Sequence, residues 1–242
     1  MRIDIYLTEN NYFDTRTKAQ SAIEQQRVII DGKIISKSSF DFDGNGNIVI
    51  VPSQTDIFVS RGGMKLQKAI EYFNVDIKDK ICVDIGASTG GFTHCLLNNG
   101  AKKVYAVDSG SNQLNKKIKN NSRVVSLENT NARYINLQTV NNESVEIAVI
   151  DVSFVSQTLF HKAIYDILQQ GGVFISLVKP QFEAGRENIG KNGIVKNQKV
   201  RNNCIERVKQ SAESTGFCFV GSCESPITGG SGNIEYLCCF TK

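Results

Sequence analysis

The sequence predicts an α/β protein: a doubly wound, mostly parallel sheet whose last strand is antiparallel, preceded by a small N-terminal α/β unit. Three observations carry this expectation. Apolar runs at 81–85, 103–108, 123–127, 145–151 and 172–178 alternate with segments of helical spacing, as do strands buried on both faces of a parallel sheet. Two further runs, 217–223 and 233–240, are joined by a loop holding Gly229, Gly230 and Gly232, which reads as a closing hairpin that reverses the final strand. Residues 1–52 follow a different pattern, with one short amphipathic helix and three short strand candidates.

Composition narrows the class. With 40% hydrophobic and 21% charged residues, neither disorder nor a fibrous fold is expected. No apolar stretch approaches the roughly 20 residues that span a bilayer. Met1-Arg2-Ile3-Asp4 puts an acid where a signal peptide needs an apolar run, so a cytoplasmic protein without membrane attachment is expected. Seven cysteines without a C-x-x-C pair and only two histidines, His94 and His161, suggest neither a disulfide framework nor a metal site. Residues 1–60 carry a net charge of −2 and residues 61–242 a net of +6, with bases gathered at 16–37 and 179–209. Two such basic faces suit a polyanionic partner.

Along the chain, Thr15 to Gln26 places Ala19, Ala22 and Ile23 on one helical face. Asp31-Gly32 marks a hairpin within 27–35, and 48–51 is a third strand after a turn-prone 43–46. A small domain over 1–55 and a linker over 56–60 are expected, with the larger domain over 61–242. Leu66, Ala69, Ile70 and Phe73 then fall at helical spacing, which puts Lys65 near a helix start.

Strand 81–85 runs into Gly86-Ala87-Ser88-Thr89-Gly90-Gly91-Phe92 and a helix. In open α/β sheets ligands bind at the carboxyl ends of strands, where glycines admit a close approach of the backbone. The spacing is G-x-x-x-G-G, not the G-x-G-x-x-G of dinucleotide binders. Asp108 ends the next strand, 22 residues after Gly86, where a carboxylate can accept both hydroxyls of a ribose or simply cap a helix. Asn131 follows the third strand, placed to meet an adenine edge or to serve a turn. A Rossmann-like sheet ending in a reversed strand is the methyltransferase variant of the dinucleotide fold, and the cofactor expected there is S-adenosylmethionine.

Two more strand ends carry ionisable groups: Asp151 in 151–154 and Lys179 in 179–183. With Lys65 from the helix before the sheet and Glu235 from the last strand, this topology can bring four charged groups to one point. Such a set suits methylation of a ribose 2′-hydroxyl, a poor nucleophile until it loses its proton. A lysine serves as base only when neutral, and its ordinary pKa is about 10.4. A second cation and partial burial lower that value; Lys65 is the candidate cation, with Asp151 and Glu235 holding the arrangement.

These stretches carry a family resemblance. Arg61-Gly62-Gly63-Met64-Lys65-Leu66, Asp84 to Phe92, Asp151-Val152-Ser153-Phe154, Val178-Lys179-Pro180-Gln181-Phe182 and Gly232 to Tyr236 together resemble the TlyA family, whose members often bear the name haemolysin. It lies within the FtsJ-like ribose methyltransferases, and their catalytic Lys-Asp-Lys-Glu set falls on Lys65, Asp151, Lys179 and Glu235. Residues 1–52 resemble the small RNA-binding domain of the ribosomal S-four type, in Arg2-Ile3-Asp4, Thr15 to Ile23 and Val28 to Gly32. The resemblance implies 2′-O-methylation of cytidine in ribosomal RNA, with rRNA or a ribosomal subunit as partner. Arg16, Lys18, Arg27 and Lys37 are the candidates for the small domain's RNA face. The shortness of both termini suggests the short form of the family, restricted to 23S rRNA. Gln26 departs from the pattern, standing where such domains have glycine after the helix; a left-handed cap there costs glutamine up to about 1 kcal/mol. The rival readings are a pore-forming haemolysin, which needs an amphipathic or apolar membrane segment, and an RNA-binding protein without catalysis.

Overall fold

The computed structural model describes residues 1–53 and 57–242, which divide into two compact units, Met1–Asp56 and Ile57–Lys242. The expected linker at 56–60 begins at Asp56, outside the described residues. Its later residues Phe58 and Val59 are buried in the core of the larger unit rather than serving as free spacer.

The small unit opens with helix α1 (Ile3–Glu9), which the sequence pattern did not disclose. Ile3 and Leu7, one turn apart, are its fully buried apolar residues, too short a stripe to read as periodic. Helix α2 (Arg16–Glu24) begins at Thr15, whose side chain accepts the Lys18 amide, and it buries Ala19, Ala22 and Ile23 as the spacing requires. Its end is a Schellman turn: the amides of Gln26 and Arg27 bond to the carbonyls of Ile23 and Ala22. Gln26 adopts the left-handed φ of 57° that this turn demands. Strands β1 (Val28–Ile30), β2 (Lys33–Ile35) and β3 (Ile48–Ile50) form an antiparallel sheet in the order β2-β1-β3. Asp31 and Gly32, with φ of 48° and 78°, make the two-residue turn that matches strand twist.

In the larger unit, α3 (Gly62–Tyr72) precedes β4 (Ile81–Ile85), α4 (Gly91–Asn98), β5 (Lys103–Val107), α5 (Lys116–Lys119), β6 (Val124–Leu127) and β7 (Val145–Ile150). There follow α6 (His161–Ile167), β8 (Leu168–Val178), α7 (Pro180–Glu183), α8 (Gln198–Thr215), β9 (Cys218–Glu224) and β10 (Tyr236–Thr241). The sheet order is β6-β5-β4-β7-β8-β10-β9. The first five strands in that order run parallel, and β10 lies antiparallel between β8 and β9. Strand β8 starts four residues before the expected 172. Gly171-Gly172 reads as a turn, but both residues pair with the backbone of Lys242, which prolongs the ladder.

Near-continuous apolar strands feed two cores. Cys82 faces α3 and α4 with Leu66, Ile70 and Leu96; Val83 and Ile85 face α6 and α8 with Ile164, Val208 and Phe174. Of the two histidines, His161 sits in the second core region, its Nδ1 3.0 Å from Ser211 Oγ, and burial lowers its pKa to about 4. His94 Nδ1 accepts the Val59 amide. No helix among the described residues is long and apolar enough to cross a membrane.

Candidate active site

The glycine loop between β4 and α4 is shaped by close approach. Gly86 has φ +81°, and a Cβ there would lie 2.5 Å from the Asp151 carbonyl oxygen, so the ends of β4 and β7 abut. Gly91 begins α4, and a Cβ on it would meet Ser60 Oγ at 2.2 Å. That contact seats the turn leading into α3 directly on the loop. Beneath the loop, Asp84 is fully buried with one oxygen accepting Thr93 Oγ1 at 2.6 Å and the other unpartnered among the described residues. Burial raises its pKa to about 7, against the opposing pull of the Thr93 bond.

Two hollows open at the carboxyl ends of the parallel strands, and both are bordered by Gly86, Ser88, Asp151 and Ser153. One, of about 600 Å³, is bordered also by Asp108 and Asn131. Asp108 accepts the Ser88 amide on Oδ2 and the Gly110 amide on Oδ1, each at 2.7 Å. The carboxylate is thereby fixed with a lone pair on each oxygen to spare. Asn131 caps a short 3-10 turn, its Oδ1 accepting the Arg133 amide and Nε, so the turn reading of this residue is realised.

The other hollow, of about 280 Å³, is lined by Lys65, Asp151 and Lys179, with Thr89, Gly91 and Phe92 from the loop. Lys179 Nζ lies 2.5 Å from Asp151 Oδ1 and donates to Ser153 Oγ at 2.9 Å. Lys65 donates from the first turns of α3 to Glu235 Oε2 at 2.5 Å, with Glu235 only 2% exposed. The four charges expected to converge do so as two pairs, Lys65 with Glu235 and Lys179 with Asp151. The reversal of β10 explains how: Tyr236 pairs with Val178, so Glu235 and Lys179 flank one register position.

Sequence reasoning missed two contributors. Ser153 follows Asp151 by two positions at a strand end, and that place was its one signal. Gln181 Nε2 reaches Glu235 Oε1 at 3.4 Å, which no spacing disclosed. Beside them Phe154 is 92% exposed at a φ of +64° and packs tilted on Phe182; an aromatic residue in that backbone region is unusual.

The four candidates on the small unit separate. Arg16 is half exposed and bonds Asp4 at 2.8 Å, Lys18 pairs with Asp14 at 3.4 Å, and Lys37 is exposed. Arg27 is corrected: it is 8% exposed and its Nε donates to the Val51 carbonyl, joining β1 to the end of β3 rather than facing outward. Arg2, itself exposed, joins Arg16 in gripping the fully buried Asp4, whose carboxyl they hold far below the usual range. The 179–209 stretch is less of a basic face than its charge suggests. Arg201 is buried against Tyr236 and the 195–196 carbonyls, and Arg207 bonds the Glu183 carbonyl.

Comparison with known proteins agrees with this geometry. An FtsJ-like methyltransferase profile matches residues 58–242, and an S4 domain profile matches residues 1–48. The chain is 42% identical to the protein named Hemolysin A of Brachyspira hyodysenteriae, covering 99% of each. It is 35% identical to the 16S/23S rRNA (cytidine-2'-O)-methyltransferase TlyA of Mycobacterium tuberculosis, over 98% of this chain and 88% of that one. Among solved structures, a putative hemolysin from Streptococcus thermophilus superposes with a TM-score of 0.80 at 42% identity, covering 100% of this chain and 88% of the other. With its glycine loop, its reversed last strand and its two lysine–carboxylate pairs at the strand ends, the chain belongs to the FtsJ-like methyltransferase family.

Proposed function

We propose that the protein methylates the 2′-hydroxyl of a cytidine in ribosomal RNA, with S-adenosylmethionine as methyl donor. The observation that carries the reading is the paired arrangement of Lys65–Glu235 and Lys179–Asp151 in and behind one hollow that adjoins the glycine loop. The loop fits the donor, because Gly86 and Gly91 let it pack closely against Asp151 and Ser60, while the exposed Ser88 and Thr89 border the hollows at the strand ends. Asp108 would take the ribose hydroxyls on its free lone pairs, and the Asn131 amide nitrogen is the part of that side chain left for an adenine edge. When bound, S-adenosylmethionine supplies a methyl group made electrophilic by its sulfonium.

The chain's own groups do the rest. Lys179 in its neutral form accepts the proton of the 2′-hydroxyl, held in place by Asp151 and Ser153. Lys65, fixed by Glu235, supplies positive charge in the same hollow as the hydroxyl oxygen gains electron density. The exposed face of Phe154 offers a surface on which an unstacked base can lie, and Arg2, Arg16 and Lys37 offer phosphate partners on the small unit. Ribosomal RNA and cytidine are supported by the function named for the relative from M. tuberculosis.

The test is methyl incorporation from labelled S-adenosylmethionine into purified 50S and 30S subunits, offered separately, followed by mapping of 2′-O-methyls. Incorporation at a cytidine of the 50S RNA is expected. Incorporation into neither subunit nor into free rRNA refutes the assignment.

A further inference from the structure

We infer that Gln181 is a positioning residue of the methyl-transfer reaction, whose side-chain amide sets the Glu235 carboxylate and, through it, the Lys65 ammonium. This rests on the methyltransferase reading of the site above. The two oxygens of Glu235 have different partners: Oε2 takes Lys65 Nζ at 2.5 Å, and Oε1 takes Gln181 Nε2 at 3.4 Å. The carboxylate in this ion pair only accepts, so the nitrogen end of the Gln181 amide is the end that must face it. That orientation leaves Gln181 Oε1 buried with no hydrogen-bond partner among the described residues.

A buried carbonyl without a donor costs free energy that an apolar side chain of the same length would not incur. Stability alone therefore disfavours glutamine at this position, and its contact with Glu235 is what accounts for it. The surroundings sharpen the point. A Cβ at Gly229 would lie 2.3 Å from Glu235 Oε1, so that oxygen is closely enclosed and the amide is the donor supplied to it. Without that donor, the carboxylate is held by one oxygen only and can turn about its terminal bond. Lys65 then loses its fixed place in the hollow that it shares with Lys179.

Stability and activity should respond in opposite directions to the loss of this amide, and Gln181→Met in the full chain tests that. The variant should unfold at the wild-type temperature or above it and bind S-adenosylmethionine within twofold of wild type. Its kcat for methyl transfer to rRNA should fall at least tenfold, with KM for RNA within about threefold and the pH–rate profile displaced. A second readout needs no turnover: brief acetylation with acetic anhydride, read by mass spectrometry. Lys65 should react severalfold faster in the variant, with Lys80, paired to Glu146 at 3.0 Å, unchanged as the internal reference. Gln181→Glu, which sets a second acceptor against Glu235, should also lose activity and alter Lys65 labelling. Wild-type kcat and wild-type Lys65 reactivity in the methionine variant overturn the inference, as does an activity loss that only follows a lowered unfolding temperature. A wild-type protein that methylates no rRNA overturns the functional reading instead, and the labelling result then decides the role of Gln181 alone.

Discussion

Replacing Asp108 by alanine removes a carboxylate whose two oxygens each accept a backbone amide at 2.7 Å, from Ser88 and from Gly110. Those bonds fix its orientation and leave one lone pair per oxygen for the hydroxyls of a bound ribose. A charge-assisted hydrogen bond contributes about 1.5–3 kcal/mol. Losing one at the low end weakens binding more than tenfold, and losing both weakens it more than a hundredfold. Asparagine should do little better. Whichever way its amide is turned, an NH2 group meets either the Ser88 or the Gly110 N–H, and one donor is left facing another. Both variants should also be less stable by about 1–2 kcal/mol, because alanine leaves two amides without an acceptor and asparagine leaves one facing a second donor, although water reaches part of this site. Isothermal calorimetry with S-adenosylmethionine, beside thermal unfolding of the unliganded proteins, measures both effects. An alanine variant with wild-type affinity would show that Asp108 only braces the loop and would refute this account of the cofactor site.

Lys179→Ala should abolish methyl transfer while S-adenosylmethionine affinity stays within a few fold. Single-turnover assays beside calorimetry check both statements. Gln26→Gly should stabilise the small unit by up to about 1 kcal/mol by relieving the left-handed φ of 57°, measured as slower hydrogen exchange over residues 16–30 of the full chain. Asp84 and His161 oppose each other in acid. Burial raises the Asp84 pKa from 3.8 to about 7, so the fold retains a proton that the unfolded chain releases, and stability falls as pH rises from about 4 to 7. Burial lowers the His161 pKa from 6.5 to about 4, so its share is complete above pH 6.5 and is lost as pH falls through 4. Asp84→Asn should remove the first slope, on the order of 3–4 kcal/mol at 1.36 per unit, and leave stability rising with pH. Urea unfolding at pH 4.5 and 7 decides this, and parallel curves for the variant and wild type would count against it.

The sheet was legible because its parallel strands are apolar on both faces, which makes 81–85 or 145–151 stand out without any partner being known. The site was legible in kind for the same reason, since strand ends in this topology converge and Asp151 and Lys179 occupy strand ends. Which acid faces which lysine was not legible, for that depends on the register of β10 against β8. Helix α1 escaped notice because two buried residues one turn apart, Ile3 and Leu7, make no period. Arg27 was misplaced because charge in a sequence says nothing about a carbonyl 24 positions away, and the Val51 carbonyl is what holds it. Gln26 is the converse case: the family pattern asked for a glycine, the chain supplies a glutamine, and the backbone takes the left-handed turn regardless.

The last strand of the chain lies inside the sheet, between β8 and β9, and Glu235 stands just before it. A protein synthesised from its N-terminus can form the glycine loop, Asp108 and the Asp151–Lys179 pair from residues that emerge early. It cannot complete the Lys65–Glu235 pair, 170 residues apart in sequence, until the segment carrying Glu235 has emerged and β10 has inserted. Domains fold as units during synthesis, and contacts of such wide separation form late. The order of translation thus leaves the proposed site without its Lys65–Glu235 pair until residue 235 has emerged and β10 has paired with β8.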